Sequence, residues 1–204
     1  MRSVDAERAI NGASVARKTS FLRDMMGKQV ASVGITATDE PLKQRGQASR
    51  PFDGEGVRGE KLLMVEKGVL NHWFLSTSAA RELGLQTNGR GARGGSSVSP
   101  SSTNFAIEAG QKSPEDLIGS LKSGFYVTEV FGQGVNMVTG EYSRGASGFW
   151  IEDGAIAHPV EEVTIAGHML EMMKGIDRVG ADLDTRSSLH APTLRFAELA
   201  ISGS

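Results

Sequence analysis

The sequence predicts an α+β fold dominated by antiparallel β-sheet, sandwich-like or barrel-like, with a few short helices. Three observations carry this prediction. Glycine is abundant, at 26 of 204 residues. Short apolar runs recur between turn signals at spacings of about 8 to 12 residues, as in all-β architectures. From Phe125 the chain reads as an antiparallel meander of successive strands and turns.

Taken in order, Val4 to Asn11 reads as a short helix, and "TSFLRDMMG" as a second one, capped by Thr19 or Ser20 and stopped at Gly27. From Val30 the pattern turns to alternation, with Val33, Ile35 and Ala37 on one strand face. "QRGQASRPFDGEGV" is a polar loop of about 14 residues, a length typical of functional segments. "KLLMVEKGVLNHWFL" is a hairpin about Lys67-Gly68. "STSAARELG" is a helix capped by Ser76 or Thr77 and ended by Gly84, and "QTNGRGARGGSSVSPSST" is a low-complexity loop leading to a strand at "NFAIEAG".

"KSPEDLIGSLKSG" carries the clearest helix signals. Ser113 is its cap, Pro114 its first residue, and Glu115 and Asp116 complement the positive end of its dipole; Gly124 ends it. A meander follows through "GFYVTEVFG", "VNMV", a Thr139-Gly140 turn, "EYSRGASGFWIE", an Asp153-Gly154 turn and "AIAHPVEEVTIAG". A Met-rich helix at Met169 to Lys174 and a last strand at "PTLRFAELAIS" complete the chain.

Composition excludes several function classes. A formal charge of −2 with no long single-sign run gives no field for nucleic acid or an acidic membrane. The absence of cysteine removes disulfides and thiolate metal sites and fits a reducing cytoplasm. "MRSVDAERAING" has no apolar signal core, and no stretch approaches the ~18 apolar residues of a membrane span.

Histidines 72, 158, 168 and 190 show no metal-ligand spacing, and His72 and His158 fall in predicted strands as structural residues. No GxSxG elbow is present, and "GQGVNMVTG" and "GRGARGG" match no phosphate loop. Glu161 and Glu162 are adjacent on a strand and point to opposite faces, so they cannot act on one substrate.

The stretch "GFYVTEVFGQGVNMVTGEYSRGASGFWIEDGAIAHPVEEVTIAG" resembles the signature region of the TldD/PmbA family, and more closely its PmbA (TldE) branch. The likeness continues through "ARKTSFLRD", "SRPFDGEGV", "GVLNHWFL", "ARELGL", "SPSSTNFAIEAG" and "APTLRF", in order, over about Ala13 to Gly203. It implies a cytoplasmic heterodimeric zinc metalloprotease acting on unfolded or short peptides, with a TldD-type catalytic partner that holds the zinc. The older family name is modulator of DNA gyrase, so a binding module acting on that system is the alternative.

The catalytic branch carries HExxxH just before the segment matching "KTSFL" and a cysteine near the C-terminus. The two histidine positions fall near Ser3 and Arg8 here, and this chain has no cysteine. The resemblance therefore implies a non-catalytic subunit that itself binds no cofactor. It also implies that residues 1–204 are a single C-terminal-type domain, with the family's N-terminal domain absent.

The small side chains of "EYSRGASG" leave room for another backbone, as in β-augmentation, or else serve close packing of sheets. The candidate peptide- or partner-binding residues are Tyr142, Ser143, Arg144, Gly145, Ala146 and Ser147. Arg93 and Gly94 of "GRGARGG" and Thr103 and Asn104 of "SPSSTNFAIEAG" join them. No catalytic or metal-ligating residue is assigned.

Overall fold

The structure, a computed structural model, describes residues 3–132 and 134–203, and for residues 3 and 4 the backbone alone. Gln133, within the "GQGVNMVTG" stretch, lies outside the described residues. Among the described residues four sheets form, of five, four, two and two strands, and none closes into a barrel. The antiparallel α+β class stands as the sequence predicts.

The five-stranded sheet has the order β11-β6-β1-β2-β3, from Leu189–His190, Phe105–Ile107, Ala37–Asp39, Leu62–Glu66 and Val69–Leu70. All its pairings are antiparallel except β11 with β6. The β2–β3 hairpin turns at Lys67 (φ 47°) and Gly68 (φ 81°), two left-handed residues in succession, the geometry that matches strand twist. Its core gathers Met64, Leu70, Trp73, Phe74 and Phe105, with the Phe74 and Phe105 rings edge to face at 5.7 Å.

The predicted helix over "TSFLRDMMG" does not form. Instead α1 (Ser3–Ala9) is followed at once by α2 (Gly12–Ala16), whose cap is Asn11, its side chain accepting from the Ala13 and Ser14 amides. Ser20 is buried: its hydroxyl donates to Ala9 O at 2.6 Å and accepts from Leu22 N–H. Phe21 N–H is held by Met137 O. Turns that bury Leu22 and tie Ser20 and Phe21 to distant backbone outcompete a local helix. The strand expected from Val30 begins only at Ala37, and Val33 is 75% exposed.

The helix α3 (Thr77–Glu82) has Ser76 as its cap. The low-complexity segment after it contains a hairpin, β4 (Gly91–Gly94) with β5 (Ser97–Pro100), hidden because it has almost no large apolar residues. Helix α4 (Pro114–Gly119) has the predicted Ser113 cap, closed into a capping box by Asp116, but stops at Ser120, leaving Gly124 inside the next strand.

The four-stranded sheet is the meander β7 (Ser123–Phe131), β8 (Glu141–Glu152) and β9 (Ala155–His168), edged by β13 (Ala200–Ser202). "VNMV" is not a strand; Val135 makes one bridge to Tyr142, and Asn136 Oδ1 caps a turn through the Val138 and Thr139 amides. The last predicted strand divides. Leu194–Phe196 (β12) pairs with β10 (Ile176–Val179), while β13 pairs with β9. Helix α5 (Met169–Lys174) joins the two cores, with Met173 in the larger and Met169 and Met172 in the smaller.

Glycines within β8 mark where strands crowd. A Cβ on Gly148 would lie 2.0 Å from Tyr126 O, beside the bulge in β7 between Val127 and Glu129. A Cβ on Gly145 would meet the Phe131 ring first, and Phe131 is 48% exposed and can turn away. Gly148→Ala is expected to cost about 1–3 kcal/mol, lowering Tm by about 2–4 °C for each kcal/mol. Gly145→Ala is expected to cost clearly less, and thermal melts of both variants check the order.

Candidate functional site

The polar residues that the sequence scatters converge beside the five-stranded sheet. Asp39, fully buried at the end of β1, takes Thr103 N–H on Oδ1 at 2.7 Å. Its Oδ2 takes the Thr103 hydroxyl at 2.7 Å and Arg90 Nε at 2.5 Å. Arg90, also fully buried, donates further to the carbonyls of Asn88, Asp39 and Glu60. Burial pulls its guanidinium below the ordinary arginine value, and the Asp39 carboxylate opposes that shift.

Around this pair the "RPFDGEG" loop is laced to the β4–β5 hairpin. Asp53 Oδ2 accepts from Gly91 N–H, and Oδ1 accepts from Glu55 and Val57 N–H, all within 2.9 Å. Asn104 fastens the other half of the loop. Its amide donates to Glu40 O and the Ser49 hydroxyl, and its Oδ1 accepts from Ala48 N–H.

Two neighbours respond electrostatically. Glu7 on α1 accepts from Ser102 N–H, and partial burial raises its carboxyl above the ordinary value. His72, in a loop and not in the predicted strand, is lowered by burial and then by the Arg90 charge, which keeps it neutral.

A second buried ion pair holds α1 to the other sheet. Arg144 Nη2 lies 3.1 Å from Asp5 Oδ1 and 3.3 Å from Oδ2, both residues buried, and Nη1 donates to Gly132 O. The guanidinium stands 5.8 Å from the centre of the Tyr142 ring.

The predicted site residues fall in three places. Thr103 and Asn104 are buried in the polar network, and Arg93 and Gly94 are exposed near the tip of the β4–β5 hairpin. Tyr142 to Ser147 lie in β8, where Tyr142, Arg144 and Ala146 face inward and Ser143, Gly145 and Ser147 face outward.

The β-augmentation reading of "EYSRGASG" is corrected. β8 pairs with β9 along one edge from Glu141 to Glu152 and with β7 along the other from Gly145 to Glu152. The remaining edge is taken by Ser143 N–H to Gly134 O and by Asn136 N–H to Glu141 O. Among the described residues no edge of β8 is left for an added strand. Asp5, Asp39, Asp53 and Arg90 escaped sequence reasoning; only Asp53, in its Gly-rich loop, carried a local signal.

These features define an open antiparallel α+β domain whose polar centre is a network built on the buried Asp39–Arg90 ion pair. Residues 6–203 match the family described as PmbA/TldA metallopeptidase C-terminal domain. The chain belongs to the PmbA/TldD family. It is 42% identical over 195 residues to the metalloprotease PmbA of Escherichia coli O157:H7, covering 96% of this chain and 42% of that one.

Among solved structures, a Bacteroides thetaiotaomicron protein described as a modulator of DNA gyrase superposes with a TM-score of 0.89 at 31% identity, over 98% of this chain and 44% of that one. TldE from Thermococcus kodakarensis gives 0.87 at 26% identity, over 96% and 46%. The chain thus spans less than half the length of these relatives.

The donor set does not fit the zinc that the family name implies. Among the described residues no three His, Cys, Asp or Glu side chains are gathered to hold a metal. On α1, Asp5 is committed to Arg144, and Arg8 is a cation; the side chain of Ser3 lies outside the described residues.

Asp39→Ala is expected to cost about 3–5 kcal/mol by leaving Arg90 buried and unpaired. Asp24→Ala, which breaks the exposed Arg23–Asp24 pair, should cost about 0–1 kcal/mol. Denaturant melts compare the two. Because the folded-state pKa of Glu7 is raised, its contribution is fully present below about pH 4.5 and is lost as pH rises through the folded value. Glu7→Gln should therefore match the wild type at pH 4 and exceed it in stability at neutral pH, as read from unfolding midpoints across that range.

Proposed function

We propose that this chain contributes the non-catalytic, PmbA/TldE-type part of a cytoplasmic zinc metalloprotease assembly. In this reading it helps hold unfolded or short peptides for a TldD-type subunit that supplies the zinc and the chemistry. The observation that carries the reading is the fate of α1. Where catalytic members of the family are expected to present metal ligands, this helix offers Arg8 and an Asp5 consumed by a buried ion pair. The names of its relatives, metalloprotease PmbA and TldE, support the same assignment.

Of the candidate residues, Arg93, Gly94 and Ser143 are exposed and available to a partner or a peptide. Thr103, Asn104, Tyr142, Arg144 and Ala146 act from beneath as supports, and Gly145 and Ser147 are half-buried between them. No helix among the described residues is long and apolar enough to cross a membrane.

A second reading, a binding module for the DNA gyrase system, is favoured by the description of the Bacteroides neighbour. With a formal charge of −2 such contact would be with protein and not with DNA. Retention of gyrase on immobilised chain, without a TldD-type protein, would select this alternative.

The purified chain is expected to contain no stoichiometric zinc and to hydrolyse no peptide alone. Mixing with a TldD-type chain should give chelator-sensitive peptidase activity. Elemental analysis and a fluorogenic peptide assay test both, and about one zinc per chain with activity in its absence of partner would sink the proposal.

A further inference from the structure

A cleft of about 380 Å³ opens where α1 and α2 meet β5 and the turn at Met137–Val138. Arg8 and Arg17 both line it, and no carboxylate does. Neither guanidinium has an ion-pair or hydrogen-bond partner among the described residues. Glu7, the acidic neighbour of Arg8, is turned away to Ser102 N–H. Arg8 and Arg17 are exposed, and although Glu7 attracts Arg8 from outside the cleft, two cations lining one concavity with no carboxylate in its walls form an arrangement that an anion would relieve.

The remaining walls limit what kind of anion. Met137 and Val138 give one side an aliphatic surface, Val138 being 53% exposed. Ser14 and Ser99 line the same space. Asn11 is already committed, through Nδ2 to Pro100 O and Oδ1 to the Ala13 and Ser14 amides, and so stiffens the floor. A nucleic acid would require a longer basic track than two residues in a chain of net charge −2. A single carboxylate next to an aliphatic side chain satisfies both the arginines and the apolar wall, since the guanidinium fork matches carboxylate geometry.

We propose that this cleft binds the C-terminal carboxylate of a short peptide, with Arg8 and Arg17 as the anion contacts and Met137–Val138 receiving the terminal aliphatic side chain. The proposal rests on the peptide-holding reading and adds to it a polarity, because the cleft would select one end of the chain.

The test uses the 204-residue chain and fluorescein-labelled Ala-Ala-Ala-Leu, as free acid and as C-terminal amide, in fluorescence anisotropy at low salt. The acid is expected to bind at least about tenfold tighter than the amide, the loss of one charge-assisted contact being worth about that factor. Arg8→Gln and Arg17→Gln should each lower acid affinity about tenfold and leave amide affinity unchanged. Arg17→Lys should restore part of the loss. Unchanged thermal melts would confirm that these exposed substitutions spare the fold.

Equal binding of acid and amide, with both variants unaffected, would overturn the inference while leaving peptide holding intact. Binding of neither peptide would remove the peptide reading and the cleft assignment together. Displacement of the peptide by isovalerate at the peptide's own affinity would assign the cleft to small organic acids and overturn the peptide assignment.

Discussion

The buried contact between Asp39 and Arg90 is the constraint on which the larger half of the structure depends. Its two residues are 51 positions apart, and its third member, Thr103, lies 64 from Asp39. One carboxylate thus holds the end of β1, the entry to β4 and the entry to β6 at a single point. Charges so deeply buried tolerate no missing partner, because each unpaired group would bear its full desolvation cost. The network is accordingly complete: both Asp39 oxygens and all three guanidinium nitrogens of Arg90 are bonded. Such an arrangement adds little net stability over an apolar core but permits only one docking of the loops around it.

The β4–β5 hairpin shows the consequence. "GARG" and "SVSP" bring almost no apolar surface to bury, and a two-stranded hairpin is marginal alone. Its position comes from Arg90 at one end and from Asp53, which accepts from Gly91 N–H. Gly54 is drawn so close that an added Cβ would stand 2.9 Å from Arg93 N. The polar loop of residues 44–57 is therefore a clamp on the hairpin, and its length is used in reaching round it.

What was legible in the sequence follows from the range of the interactions involved. The Lys67-Gly68 and Asp153-Gly154 turns, the Ser76 and Ser113 caps and the Met-rich helix are set by neighbours within four residues, and all appear as read. The helix expected at residues 19–27 failed because Ser20, Phe21 and Gly27 bond to Ala9, Met137 and Leu70, contacts no local window contains. The same holds for the centre of β8. Its small residues announced a close approach, but whether to a ligand or to the protein's own strands depends on where β7 and β9 fall. Gly134, whose added Cβ would lie 1.5 Å from Ser143 O, shows the chain itself filling the space that a peptide would have needed.

The Asp5–Arg144 pair extends the logic from fold to function. Its partners are 139 residues apart, and it joins α1 to a strand in the other sheet. With Asp5 drawn inward, the rotation of this short helix about its axis is fixed. Three residues on, nearly one helical turn, Arg8 is then carried to the rim of the cleft that Arg17 enters from α2. Asp5 is paired with Arg144, and Glu7, bonded to Ser102 N–H, attracts Arg8 from outside the cleft lining. The positive character of the cleft is thus a product of where the acids are buried. It could not be read from net charge, since the same residues sum to near neutrality along the sequence and separate only when the two sheets are joined.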